Sequence, residues 1–115
     1  VNQSELPTLD EFLARGPEKF PRNAYVTEDG FESLYVRWGF HMVDGKMLSC
    51  LDLANMTATR PGHGAFKALL KKLRSEQPDL PIYVESVLNE KFMAGLPKHG
   101  FTYVPNSYPP SFVLR

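Results

Sequence analysis

Residues 34–56 constrain the fold more than any other stretch. Leu34, Val36, Trp38, Phe40 and Met42 alternate with Tyr35, Arg37, Gly39, His41 and Val43. Period two in aromatic and β-branched residues means a strand with one strongly apolar face. Asp44-Gly45 follows, a dipeptide that accepts the positive φ angles of a two-residue hairpin turn. The returning strand starts at Lys46 and runs to about Met56. With a two-residue loop Val43 faces Lys46 and the register is fixed. Met42 then pairs with Met47, Phe40 with Ser49, Trp38 with Leu51 and Val36 with Leu53, which makes a core face. On the other face His41 meets Leu48, Gly39 meets Cys50, Arg37 meets Asp52 and Tyr35 meets Ala54. The polar chemistry of the hairpin gathers there.

The returning strand leads into a loop, Thr57 to His63, and then a helix beginning near Gly64. Phe66, Leu69, Leu70 and Leu73 recur at the spacing of one buried helical stripe. Lys67, Lys71, Lys72 and Arg74 read as its solvated side. The first turn of a helix has backbone N–H groups without intrahelical partners, and the helix dipole places positive charge there. Gly62 and Gly64 carry no Cβ, so an anion can approach the main chain, and Arg60 adds a full charge. This loop is a candidate phosphate cradle. It is not a P-loop, because no Gly-Lys-Ser/Thr occurs, and it lacks the third glycine of a dinucleotide fingerprint.

The flanking segments fill out one domain, residues 1–115, with 1–22 as an N-terminal adaptor. Thr8 caps a short helix over 9–15 that Gly16-Pro17 stops. Asn23 to Thr27 reads as a strand and Glu28-Asp29-Gly30 as a turn. After Pro78 and Pro81, Ile82 to Val87 is an interior strand. Asn89 caps a helix from Glu90 to about Leu96, which Pro97 ends. Strands follow at 101–104 and 111–114, joined by the proline-bearing loop 105–110. A strand–helix–strand crossover therefore sits inside an otherwise antiparallel arrangement. The fold class is α/β (α+β): a mixed, mostly antiparallel sheet with helices on both faces.

Composition excludes several classes. A hydrophobic share of 43% against 23% charged residues belongs to globular rather than disordered chains. The net charge of zero gives no general attraction to nucleic acid or to an anionic membrane. No apolar run approaches the ~20 residues of a membrane span, no signal peptide is visible, and no Cys/His spacing indicates a metal. The single cysteine, Cys50, allows no internal disulfide and fits a reducing, cytoplasmic compartment.

Two motifs in residues 31–104 resemble the GNAT N-acetyltransferase superfamily. The family's Gln/Arg-x-x-Gly-x-Gly/Ala loop and leucine-rich helix are similar to Pro61-Gly62-His63-Gly64-Ala65-Phe66 followed by Leu69-Leu70. Pro61 stands where the family usually has Gln or Arg, with Arg60 beside it. The family's Asn, helix and Gly-Phe are similar to Asn89 and Gly100-Phe101. Leu96 occupies the position where the family often has a tyrosine that protonates the departing thiolate. The resemblance implies that acetyl-CoA lies between the strand ending near Met56 and the strand starting near Ile82. It implies main-chain contacts from Ala54, Met56 and Ala58 to the pantetheine arm. It implies a pyrophosphate site at Gly62, His63, Gly64, Ala65 and Phe66, with Arg60 and Asn89 nearby. The implied reaction is transfer of an acetyl group to a primary amine, with a backbone N–H near Met56 stabilising the oxyanion. The rival reading is a GNAT-fold protein that acts as a CoA-binding or protein-interaction module without turnover. The short N-terminal part implies an open acceptor side, for a macromolecular acceptor such as a protein, or for a homodimer. Very small members of the superfamily occur in phage genomes.

Candidate chemistry falls on few side chains. Asp52 and Glu85 are the carboxylates that could accept a proton; each also has a structural reading, Asp52 in an ion pair with Arg37 and Glu85 as a partnered mid-strand group. Tyr103 and Tyr108 could supply a proton to the sulfur. His41 reads as solvated near the hairpin tip, His63 as facing solvent or phosphate, and His99 as a helix-end cap. Cys50 reads as a small buried filler, and Trp38 and Phe40 as core.

Overall fold

The computed structural model describes residues 6–115; residues 1–5 of the adaptor lie outside the described residues. The chain runs α1 (Leu9–Arg15), β1 (Asn23–Val26), β2 (Phe31–Val43), β3 (Lys46–Ala58), α2 (Ala65–Glu76), β4 (Ile82–Val84), α3 (Glu90–Gly95), a 3-10 turn (Leu96–His99), β5 (Thr102–Tyr103) and β6 (Phe112–Leu114). The six strands form one sheet in the order β1-β2-β3-β4-β6-β5. Only β3 and β4 are parallel; every other neighbouring pair is antiparallel.

Local chemistry explains where the elements begin and stop. Thr8 Oγ1 accepts from the Glu11 N–H at 3.0 Å while Glu11 Oε1 accepts from the Thr8 N–H at 3.3 Å, a reciprocal cap that satisfies two orphan donors. Gly16, at φ 77°, ends α1. Asp44 and Gly45 take φ 50° and 78° at the hairpin turn, and the pairing from Val43↔Lys46 to Val36↔Leu53 follows the expected register. Beyond that point the register slips. Tyr35 pairs with Asn55 instead of Ala54, so Ala54 is the extra residue of a β-bulge. The helix α2 starts at Ala65 with Gly64 as its cap residue, in the left-handed region. Three strands are shorter than the sequence predicts: β4 ends at Val84, β5 covers two residues and β6 three.

The layering differs from the two-sided arrangement the sequence predicts. Leu34, Val36, Leu51, Leu53, Ile82, Val84, Phe112 and Leu114 form one buried cluster with side chains of α1, α2 and the α3 region. These strand residues share one pleat face, so all three helices cover the same side of the sheet. Leu69, Leu70 and Leu73 are the buried stripe of α2. Lys72 is not solvated with its neighbours. Its Nζ lies 2.9 Å from Glu28 and 3.1 Å from Asp10, tying α2 to α1 and to the turn before β2. Burial pulls the Lys72 pKa down, but the hydrogen bonds and charges of Glu28 and Asp10 outweigh it and raise it.

The other side of the sheet has a smaller cluster of Val43, Cys50, Tyr83, Val104 and Val113. The segment after β5 supplies Val104, and Ser107 Oγ closes that loop by donating to the Val104 carbonyl at 2.7 Å and accepting from the Ser111 N–H at 2.9 Å. The hairpin is longer than the helices can cover. Trp38 stacks on Phe12, but Phe40 is 58% exposed and Met42 and Met47 59% each, so the expected core face stops at Trp38.

Candidate functional site

The crossover from β3 to β4 opens a wedge in the sheet. The two strands pair at Leu51↔Ile82, Asp52↔Tyr83 and Leu53↔Val84 only, while β3 continues to Ala58. The reason lies just past β4. Ser86 takes φ 52°, its N–H donates to Ser111 Oγ at 3.1 Å, and the Val87 N–H donates to the Pro110 carbonyl at 2.7 Å. The chain is thereby held toward the β6 side, and β3 from Ala54 onward loses its β4 neighbour while keeping β2.

A cavity of about 810 Å³ fills this opening. Its floor is Phe31, Met56, Thr57 and Ala58; its far wall is Asn89, Phe92, Gly95, Leu96 and His99. Arg60, Pro61, Gly62, Gly64, Ala65, Phe66 and Lys67 form the rim at the start of α2, and Lys91 stands opposite. Gly62 and Gly64 have φ 83° and 81°, and a Cβ on either would meet nothing within 4 Å. No side chain caps α2 and its first turn has no acidic residue, so its free N–H groups are available to an anion. Phe66 lies under the rim, edge-on to Phe92 at 4.8 Å and to His99 at 5.9 Å. His99 thus serves as a cavity wall rather than the expected cap.

Of the predicted cofactor residues, Met56, Ala58, Arg60, Gly62, Gly64, Ala65, Phe66 and Asn89 line the cavity, and Ala54 and His63 do not. Asn89 Oδ1 is already engaged, accepting from the Phe92 N–H at 2.9 Å. Lys67 and Lys91 complete, with Arg60, a basic rim that sequence reasoning did not assemble. Lys67 was legible only as one of four basic residues on α2, and Lys91 carried no signal.

The predicted carboxylates meet on the helix-free side of the sheet, level with the closed end of the wedge. Asp52 is fully buried. Arg37 Nε donates to its Oδ2 at 3.1 Å, as the register predicts. His41 reaches the same carboxylate, with Nε2 at 2.9 Å from both oxygens, and its ring lies flat on Tyr83 at 3.6 Å with a 2° interplanar angle. The solvated reading of His41 is therefore corrected. Gly39 makes the contact possible, because a Cβ there would collide with Asp52 Oδ2 and come within 2.9 Å of His41 Nε2. Glu85 is not mid-strand; it lies just past β4 and pairs with the Arg37 guanidinium. Burial lowers the Arg37 pKa, but Asp52 and Glu85 together hold it above its ordinary value. Burial pushes Cys50 up to about 11, helped by the Asp52 charge, which makes it a poor nucleophile. Burial also raises the Tyr83 phenol, against a lowering hydrogen bond from Ser111.

The two tyrosines proposed as acids stand elsewhere. Strand β5 is the sheet edge, separated from β4 by β6. Tyr103 is half exposed and donates to the Ser107 carbonyl at 3.2 Å, and Tyr108 is almost fully exposed. Neither lines the cavity. Leu96 does, and is fully buried.

Among the described residues, no group of three or more His, Cys, Asp or Glu stands where it could hold a metal ion, and no helix is long and apolar enough to cross a membrane. No family model matches the chain, no curated protein matches it in sequence, and no solved structure matches it in fold.

Proposed function

We propose that the chain binds acetyl-CoA in the β3–β4 wedge and transfers the acetyl group to a primary amine. The wedge carries the reading: one parallel pair that parts after three residues, with an uncapped helix start and open glycines at its mouth. The residues fit the group. Arg60, Lys67 and Lys91 suit the phosphates, the N–H groups of Ala65, Phe66 and Lys67 suit the diphosphate, and apolar Phe31, Met56 and Phe92 suit the pantetheine arm. Acetyl-CoA supplies the thioester. The Ala54 bulge breaks the β2–β3 ladder where the strands part, leaving main chain free to act as an oxyanion donor. Glu85, just past β4, does not line the cavity and is paired with Arg37; as the base of this reading it would accept a proton from the incoming ammonium through water. Asp52 is held between Arg37 and His41 and acts as a structural anchor. A reducing, cytoplasmic setting suits a chain whose one thiol is buried.

Leu96 favours a second reading. It is buried in the cavity wall where a tyrosine would supply the leaving-group proton, and Tyr103 and Tyr108 are two strands away. On that reading the chain binds CoA without turnover. Thermal melting with acetyl-CoA separates the possibilities, since a ligand that binds only the folded form raises the midpoint. The expected result is a concentration-dependent rise that Lys67→Glu, on the exposed rim, weakens about tenfold. Mass spectrometry of polyamine and peptide acceptors then reads turnover. A midpoint unmoved by millimolar acetyl-CoA rejects both readings; a rise without any acetylated acceptor selects the second.

A further inference from the structure

Away from the wedge, three buried side-chain donors have no hydrogen-bond partner among the described residues: Arg15 Nη2, Arg22 Nε and Trp38 Nε1. The fold brings them to one corner. The Trp38 backbone N–H donates to the Arg22 backbone carbonyl at 2.8 Å, so Arg22 stands opposite Trp38, and opposite residues project on the same face. Phe12 stacks on the Trp38 indole at 5.7 Å and 12°. Arg15, three residues further along the chain, lays its guanidinium over the Phe12 ring at 5.2 Å, and the Arg22 guanidinium lies over Phe20 at 5.2 Å. Among the described residues neither arginine has a carboxylate within ion-pair reach. Two of the fold's cations are therefore held against aromatic rings with donors unused.

The same face is apolar and open beside them. Phe20 is 80% exposed, and Phe40, Met42 and Met47 continue the Trp38 side of the hairpin at 58–59%. Trp38 lies seven residues along β2 from Phe31 of the cavity floor, roughly 23 Å at strand rise, so this corner is separate from the wedge.

We propose that the corner docks an acidic, apolar peptide segment of a partner protein. Its carboxylate accepts from the Arg15 and Arg22 guanidinium groups beside the Trp38 indole, and its neighbouring side chains pack on Phe20, Phe40, Met42 and Met47. Turning either guanidinium toward the ligand breaks no hydrogen bond, because the donors have none to lose, and a carboxylate offers about four acceptor positions. Charge selects the occupant. A second copy meeting this one across a two-fold axis would bring the same two cations face to face. A nucleic acid would need a basic track, and the chain's net charge is zero. Exposed methionines adapt to varied apolar side chains, as peptide recognition requires.

Trp38 is the single tryptophan, so its emission reads the site. The probe is the N-acetylated, C-amidated tetrapeptide Leu-Asp-Phe-Leu, titrated into the whole chain beside the same peptide with Asn for Asp. The expected result is a saturable change in Trp38 emission, with the Asn peptide at least about tenfold weaker. Arg15→Met and Arg22→Met each weaken the Asp peptide about tenfold. Phe40→Ser also weakens it while the melting midpoint stays within about 2 °C, since the ring is exposed. Equal affinity for the two peptides, no emission change at millimolar peptide, or two arginine variants that bind like the parent overturns the proposal. So does an equal response to inorganic phosphate or to a single-stranded oligonucleotide, which assigns the corner to phosphate chemistry. An emission change driven by protein concentration alone makes the occupant a second copy and overturns it too.

Discussion

At its centre, residues 50–53, strand β3 is buried on both faces, and the two faces are buried by different physics. Leu51 and Leu53 face the helices, in a cluster built from three helices and five strands. Asp52, between them, is equally inaccessible, yet it faces the side with no helix. There it is covered by an arginine, a histidine stacked on a tyrosine, and one loop. Apolar burial tolerates approximate packing, because each contact is weak and non-directional. A buried carboxylate tolerates nothing of the kind, since it must be fully partnered or it is costly. A small chain that spends all its helices on one face thus closes the other face with few groups in exact geometry.

That contrast is broken most directly at Asp52. Asp52→Ala leaves Arg37 with Glu85 alone and frees His41, and it is expected to cost about 3–5 kcal/mol in urea unfolding. Leu53→Ala, on the helix side, is expected to cost about 2–4 kcal/mol. An Asp52→Ala loss under about 1 kcal/mol would mean that the polar face contributes little.

Alkaline pH probes the same face with a smaller effect. Burial raises the Cys50 thiol from 9.0 to about 11. A raised folded-state pKa favours the native form below the unfolded value and loses that contribution as pH rises through the folded one. Stability should therefore fall between about pH 9 and 11, by up to about 3 kcal/mol from this group. Raised Tyr83 and Lys72 values act in the same direction, so the difference between parent and Cys50→Ala isolates the thiol. Denaturant titrations of both across that range check it; parallel curves would refute it.

The helix-covered face was far more legible than the polar one. Period two and Asp44-Gly45 gave the hairpin register as far as Leu53, because both are local signals. The bulge at Ala54 is set by how β3 leaves β4, and no residue there announces it. Periodicity identified an apolar face but not what covers it, so Phe40 read as core although the hairpin outruns the helices. The wedge was expected only through the family resemblance that Gly62, Gly64 and Asn89 carry; what those residues show by themselves is a turn and a cap, which are local. Its cause, Ser86 and Val87 held by Ser111 and Pro110, joins segments about 25 residues apart. The His41–Asp52 contact was missed for a related reason. Pairing tables place His41 against Leu48, and only the missing Cβ of Gly39 lets the imidazole lean back over two residues.

Two glycines turn that last point into the finest test of the comparison. Gly39 has no positive φ but no room; Gly64 has room but a φ of 81°. Gly39→Ala should cost about 2 kcal/mol by pushing Asp52 and His41 apart. Gly64→Ala should cost about 1 kcal/mol from left-handed backbone alone. The two costs have different owners. In an Asp52→Ala background the Gly39→Ala penalty should shrink to about 0.5 kcal/mol or less, because the obstructing carboxylate is gone, while the Gly64→Ala penalty should persist in full. Urea unfolding of the two double-mutant cycles measures both couplings. If the Gly39→Ala penalty survives without Asp52, the residue matters for its backbone, and the claim that its bare Cα holds the polar cluster together fails.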